Sequence, residues 1–384
     1  MGELTENKIH PKFILDDLFC LFSSFTQETT MDRKIILSGI RPTGILHLGN
    51  YLGAMRYFVE LAKDPKNFCM FFIANQHAQT TAMNPAAAAE MQKELLGIVL
   101  DFIACGLDPN ADNVLLYAQS SVPETSELAW ILSCVATVSE LMGMHHFAEK
   151  REALRTGSDS ATTGLLTYPV LMAADILGPN AHLVPVGADQ QEHVEVTRSL
   201  ARRFNNRFNV EHFRVPELLE GPGVRVPGLR GQGKMGKSEP KGTLSLHDSP
   251  ELIGEKIKRA DKRLPDNLAT GEKSEEPRIA DRPGQPDKCR VFQLHTLTRR
   301  TPEEELGTRI GCETGTLRCG DCKLFLAEQI VSMLTPIQER RKELNARGGE
   351  VLAREILHEH GKRARAIIAP HVLATKELTG IPTY

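Results

Sequence analysis

Residues 68–73 read Phe-Cys-Met-Phe-Phe-Ile, an apolar run with no polar residue inside it. A strand with one wet face alternates between apolar and polar positions. One that does not alternate has to be covered on both faces, as in a parallel sheet flanked by helices. Shorter β-type runs lie on either side, at residues 34–37 (ending in Ser38-Gly39) and 114–117. The stretches between them read as helices. From His47 to about residue 61, Leu48, Leu52, Met55, Val59 and Ala62 recur at helical spacing, and residues 85–104 open on Asn84-Pro85, a helix start. The order β–α–β–α–β implies a parallel sheet with right-handed crossovers and an α/β fold.

Further along, residues 124–155 read as helical and hold the only tryptophan, Trp130; the apolar helices around it suit either the core or a subunit interface. Residues 170–177 suit a buried helix, 183–186 a strand and 190–204 a helix. A Gly- and Pro-rich loop at 221–242, a polar, proline-rich linker at 262–287 and a mostly helical stretch at 323–384 follow, with no internal repeat. A chain of 384 residues exceeds one ordinary core. The expected division is a parallel-sheet catalytic domain at 31–222, a mobile loop at 223–245 and an α-helical C-terminal domain at 246–384. Residues 1–30 read as a dispensable extension or a misplaced start. Their apolar patch is interrupted by Asp16-Asp17 and lacks a cleavage site, which argues against a secretory signal.

No apolar run approaches the ~20 residues that span a bilayer. The formal charge of −3 gives no bulk attraction to nucleic acid, so any phosphate contact needs a local patch. Of eight cysteines, Cys20, Cys69, Cys105 and Cys134 are scattered singly and four are clustered. Without an export signal the expected compartment is the reducing cytoplasm, where clustered cysteines mean metal more often than disulfide.

Two motifs carry chemistry. In Gly39-Ile-Arg-Pro-Thr-Gly-Ile-Leu-His47-Leu-Gly49-Asn50 a strand ends in a Gly-rich turn and a helix begins just beyond it. Backbone N–H groups and the helix dipole there face anything held at the turn, and phosphate is the natural ligand. His47 and Asn50, three apart, project on one side of the helix start, and Gly49 lets a flat ring approach the backbone. Lys234-Met235-Gly236-Lys237-Ser238 lies in a glycine-rich loop, from which two lysines could swing onto a polyphosphate and neutralise a leaving pyrophosphate. Taken singly, the first is also an ordinary strand–helix turn and the second a solvated basic loop.

Together, in this order, they resemble the two signatures of class I aminoacyl-tRNA synthetases. His47-Leu-Gly49-Asn50 matches that family's His-Ile-Gly-His element, with Asn50 for the last His, a departure common in its tryptophan branch. Lys234-Met235-Gly236-Lys237-Ser238 matches its Lys-Met-Ser-Lys-Ser loop, with Gly236 in place of the middle Ser; that loses one hydroxyl but leaves the backbone free to approach phosphate. The resemblance covers about residues 34–384 and narrows to bacterial tryptophanyl-tRNA synthetases. It does so through Ser-Gly-Ile-Arg-Pro-Thr-Gly, Ala74-Asn-Gln-His77-Ala, Gly164-Leu-Leu-Thr-Tyr168-Pro, Leu171-Met172-Ala-Ala-Asp175-Ile-Leu and Val184-Pro-Val-Gly187-Ala-Asp189-Gln190.

The resemblance implies a Rossmann-like catalytic domain that makes tryptophanyl-adenylate and pyrophosphate from L-tryptophan and ATP, then transfers tryptophan to the 3′ end of tRNA(Trp). It implies that Arg41, Pro42, Thr43, Gly49, Asn50, Gly187, Ala188, Asp189 and Val226 hold ATP with Lys234, Met235, Gly236, Lys237 and Ser238. Lys234, Lys237, Thr43 and Asn50 then act on the reacting phosphates. Mg²⁺ accompanies ATP and keeps several waters. Tyr168, Met172, His77, Gln190 and Leu37 line or support the tryptophan pocket, and Asp175 accepts the indole N–H. Physical chemistry agrees for Asp175: indole has one donor and no acceptor, and Met172 shares its helix face, three residues away. The tyrosine-specific sister enzymes are the nearest alternative. They are expected to carry Gln near Met172, to read a phenol that both donates and accepts. A synthetase-like binding or regulatory protein that charges no tRNA is the other.

The clustered cysteines are Cys289, Cys312, Cys319 and Cys322, spaced C-x22-C-x6-C-x2-C, with Gly311, Gly315 and Gly320 letting the backbone wrap a centre. Four thiolates suit zinc or an iron–sulfur cluster, and spacing does not choose between them. The pattern resembles a subset of bacterial tryptophanyl-tRNA synthetases with a C-terminal [4Fe–4S] cluster near the anticodon; Zn²⁺ is the alternative. Arg340, Arg341, Lys342, Arg347, Arg354, Lys362, Arg363 and Arg365 concentrate in the same region and suggest contact with the anticodon arm. A homodimer is the family expectation.

Overall fold

A computed structural model describes residues 33–42, 44–80, 83–145, 162–187, 190–221, 224–231, 233–236, 240–262, 284–298 and 301–382. The expected extension at residues 1–30 and most of the linker at 262–287 fall outside these residues. Five strands form one parallel sheet: β1 (Lys34–Ile40), β2 (Asn67–Ile73), β3 (Val114–Ala118), β4 (Leu183–Val186) and β5 (Glu217–Glu220), in the order β3-β2-β1-β4-β5. The helices used below are α1 (Leu48–Asn50), α2 (Arg56–Lys63), α3 (Asn75–Ala78), α4 (Pro85–Ala104), α5 (Glu124–Ser133), α6 (Val138–Gly143), α7 (Thr163–Leu177) and α8 (Gln191–Phe208). They continue with α9 (Pro250–Lys258), α10 (Arg290–Thr298), α11 (Pro302–Glu313), α12 (Cys319–Ala346) and α13 (Gly349–Leu378). The α/β sheet with a C-terminal helical region matches the expected fold class.

β1 runs on through Ser38-Gly39, which the sequence reading placed after the strand. Gly39 pairs with Phe72 of β2, and a Cβ at residue 39 would lie 2.6 Å from the Phe72 ring, so only glycine continues the ladder there. A π-helical turn, Tyr51–Met55, joins α1 to α2. Within the helical stretch expected at 124–155, α5 ends at Ser133 and α6 restarts at Val138. Thr137 caps the restart by accepting the N–H of Glu140 (3.3 Å), and residues 146–161 lie outside the described set. β5, not foreseen, is a short edge strand of Glu and Leu, without the β-branched residues that advertise a strand.

The sheet separates two buried clusters. One gathers Ile36, Leu48, Phe71, Phe102 and Leu116 with Leu326, Ile330, Leu334 and Ala353 from α12 and α13. The other gathers Leu37, Phe72, Tyr117, Ala173, Leu200 and Phe204 with Ala364, Ile368 and Val372 from α13. The C-terminal helices therefore complete the core on both faces. α13 crosses the open edge of β3, where His360 Nδ1 accepts the Leu116 N–H (2.9 Å) and protects an otherwise exposed strand edge. Burial, with the Arg363 charge nearby, pushes the His360 pKa down to about 4, which keeps that lone pair available.

This docking corrects the reading of the basic residues. Arg341 Nε meets Asp101 Oδ1 at 2.9 Å, and Arg365 Nη2 meets Glu124 at 2.6 Å. Arg340 donates to the Ala104 carbonyl and Arg363 to the Asp112 carbonyl. Four of the eight cations offered for tRNA thus fasten α12 and α13 to α4, α5 and the loop before β3. Trp130, 70 % exposed, is not core; Val138 and Met142 are exposed as well.

Candidate active site and cysteine centre

The strand order reverses between β1 and β4, and in open parallel sheets ligands settle outside the carboxyl ends of the strands at such a reversal. The first signature leaves β1 there. Arg41 is exposed, Pro42 buried, and Gly44 has φ +94°, a conformation that favours glycine. His47 and Asn50 do share the start of α1, but they cap it: His47 Nδ1 accepts the Asn50 N–H (3.3 Å) and Asn50 Oδ1 accepts the His47 N–H (3.1 Å). A Cβ at Gly49 would stand 2.9 Å from His47 Nδ1 and 3.6 Å from Met235 Cβ. The glycine is thus required by its own neighbours.

That contact also shows the two signatures meeting. His47 bridges antiparallel to Ser245, Leu48 N–H donates to the Leu244 carbonyl (2.8 Å), and Thr243 Oγ1 donates to the Gly236 carbonyl (2.6 Å). Met235 is buried, with its N–H on the Val226 carbonyl (2.8 Å), while Lys234 beside it is exposed. Gly187 follows β4, and its carbonyl accepts the Gln190 N–H (2.9 Å). Thr43, Ala188, Asp189, Lys237 and Ser238 lie outside the described residues.

A buried polar group fills the neighbouring crevice. Asp175, 6 % exposed near the end of α7, accepts from Gln119 Nε2 with both oxygens (2.8 and 2.9 Å) and from His77 Nε2 with Oδ2 (2.9 Å). Burial raises the Asp175 pKa, and the bonds from His77 and Gln119 oppose the rise. The Tyr168 hydroxyl shares a 2.6 Å bond with His193 Nε2, and its ring meets His77 edge-on at 6.3 Å. Met172 is half-buried on the same helix, three residues from Asp175. Leu37 is fully buried in the sheet core, where Met172 also packs, so it supports from beneath. Gln190 stands at the head of α8. The sequence reading missed Gln119 and His193. Gln119 directly follows β3, so its place at a strand's carboxyl end was a usable signal; nothing in sequence marks His193.

The four clustered cysteines come together. Cys289 precedes α10, Cys312 lies in α11, and Cys319 and Cys322 open α12; all four line one small cavity with Lys262 and Lys323. A Cβ at Gly284 would overlap Cys312 Sγ, and one at Gly311 would reach 2.8 Å from Leu317 Cβ, so both glycines bring the backbone close. Gly315 takes φ +73° at the turn, whereas Gly320 has open space around it and is not required. Burial raises the Cys322 pKa to about 12, with Cys289, Cys312 and Cys319 adding to it. Among the described residues no group of three or more His, Cys, Asp or Glu is placed to hold a metal ion, although the four cysteines line one cavity.

Sheet, crevice and paired signatures define a nucleotide-dependent amino-acid-activating fold, and comparison with known proteins agrees. The profile of the family described as tRNA synthetases class I (W and Y) matches residues 30–335, and the chain belongs to that family. It is 39% identical over 336 residues to the tryptophan–tRNA ligase of Deinococcus radiodurans, covering 86% of this chain and 94% of that one. The Helicobacter pylori tryptophan–tRNA ligase is 38% identical, covering 91% and 100%. The fold is similar to tryptophanyl-tRNA synthetase from Campylobacter jejuni complexed with ADP and tryptophan, with TM-score 0.73 and 29% identity over 90% of this chain and 99% of that one. Within the family the chain groups with the tryptophan–tRNA ligases.

Proposed function

We propose that Asp175, held by Gln119 and His77, reads the indole N–H in a tryptophan–tRNA ligase. The chain is such an enzyme: it activates L-tryptophan with ATP and transfers it to tRNA. The observation that carries the assignment of Asp175 is a buried carboxylate, fixed by two donors, beside half-buried Met172 and Tyr168. ATP takes the crevice between the first signature and the loop of Lys234, with Arg41, Pro42, Gly49, Gly187 and Val226 around it; Thr43, Ala188, Asp189, Lys237 and Ser238 join them by sequence position. Mg²⁺ comes with ATP. ATP–pyrophosphate exchange measured with tryptophan and with tyrosine tests the reading. Exchange driven by tryptophan at least about 100-fold better is expected, since a site built for one hydrogen bond rejects an analogue that mismatches it. Equal exchange with tyrosine, or none with either, would count against it.

The cysteine centre fits a [4Fe–4S] cluster. Four thiols line one small cavity, with backbone brought close by Gly284 and Gly311, and the choice of cluster over zinc rests on the resemblance of the cysteine spacing. Adenylate chemistry needs no electron transfer, so the cluster's contribution is structural or in tRNA recognition. Anaerobically purified protein is expected to be brown and to hold about four iron per chain, the content of one such cluster. Cys319→Ser is expected to lose both colour and iron. Colourless protein with one zinc per chain would overturn the assignment. The same reading takes residues 31–222 as the catalytic unit and 246–384 as the tRNA-facing one. Lys342 and Arg347 are left to the anticodon arm, with Arg354 and Lys362, which sit in exposed ion pairs with Glu350 and Glu359. A cytoplasmic homodimer completes the reading, with exposed Trp130, Val138 and Met142 as its contact face.

A further inference from the structure

Arg290 follows Cys289 directly and is only 2 % exposed. Its own N–H donates to the Lys262 carbonyl (2.9 Å), but its side chain leaves the cysteine cavity for the glycine-rich loop. Nη1 donates to the Gly228 carbonyl, and Nη2 donates to the Gly231 carbonyl at 2.8 Å. Those two carbonyls belong to one tight turn. Gly228 N–H donates to the Gly233 carbonyl (3.1 Å), Gly231 takes φ +74°, and Pro227 bridges antiparallel to Lys234. Lys234 therefore leaves the turn that Arg290 grips. The loop has further ties nearby, Leu229 N–H to the Gly242 carbonyl (2.7 Å), Asp261 N–H to the Leu229 carbonyl (2.8 Å) and Arg230 Nε to the Arg259 carbonyl (3.2 Å).

A buried guanidinium needs acceptors, and two carbonyls aligned on its planar fork satisfy it while fixing their spacing. A lysine ammonium is a point charge and cannot hold two carbonyls in that way. We propose that Arg290 is a positioning residue for adenylate formation, which ties the turn at 228–231 to the cysteine-bearing segment and so sets where Lys234 stands. This rests on the reading that Lys234 acts on the phosphates of ATP. It also makes the cysteine centre a support for tryptophan activation.

The test uses the full chain with its iron content measured. Arg290→Met is expected to lower kcat of ATP–pyrophosphate exchange by up to about 100-fold, the scale of a displaced reacting group, with the tryptophan KM unchanged. In a Lys234→Ala background the same change is expected to cost less than about two-fold, because both act through one group. Arg290→Lys should fall between wild type and Arg290→Met, with an unchanged Tm. If Arg290→Met folds poorly, Arg290→Lys alone decides, since it keeps the charge and loses the fork. A normal kcat in whichever variant folds would overturn the proposal, and so would a loss that multiplies with that of Lys234→Ala. Normal exchange by Lys234→Ala itself would instead remove the underlying reading of the loop, and the clamp with it.

Discussion

Replacing Asp175 with alanine is expected to lower kcat/KM for tryptophan in ATP–pyrophosphate exchange by at least about 100-fold. Two losses combine. The indole N–H loses a charge-assisted acceptor, worth about 1.5–3 kcal/mol. His77 Nε2 and Gln119 Nε2, whose bonds to Asp175 are 2.8–2.9 Å long, are left without their carboxylate inside the protein. Each stranded donor costs about 1–3 kcal/mol if no other partner is found. A carboxylate offers about four lone-pair directions, and the three bonds present leave room for one more donor. Asp175→Asn is the control, because it keeps the size and removes the charge. Steady-state exchange kinetics and tryptophan binding by calorimetry check the prediction. Unchanged tryptophan activation in Asp175→Ala would sink the role assigned to this residue.

Lys234→Ala is expected to cut kcat of adenylate formation by about 100-fold or more with little change in tryptophan affinity, the loss typical of one group that stabilises developing charge. The structure favours this residue because its neighbour Met235 is buried beside Gly49, which pins the exposed lysine next to the strand–helix turn. Lys237, outside the described residues, is expected from the sequence motif to act with it. Single-turnover formation of tryptophanyl-adenylate separates the two contributions. A variant with normal kcat and only weaker ATP binding would assign Lys234 to ground-state binding instead.

Much of this protein was legible in the order of its residues. Apolar runs without alternation can be buried only between layers, so residues 68–73 and their neighbours gave the parallel sheet. Local rules also found α4, opened by Asn84 and Pro85, and β4. They missed β5, whose composition is that of a helix, and did not mark the restart that Thr137 caps after α5. The candidate site divides in the same way. Asp175 and His77 could be picked out by motif. Gln119 offered only its place after β3 as a signal, since its partner is a carboxylate that comes 56 positions later.

The sequence by itself determined the layer architecture, the two signatures and the four-cysteine spacing, because each depends on residues close together in the chain. Tertiary structure decided which charges are spent inside the molecule. Arg341 and Asp101 are 240 positions apart, and a count of basic residues cannot distinguish a cation facing tRNA from one neutralised by a distant carboxylate. It also decided that Arg290 reaches the loop of Lys234, a link set by folding across 59–62 positions. Hydrogen bonds and ion pairs act over a few ångströms of space, whatever the separation along the chain, so only the packed molecule reveals them.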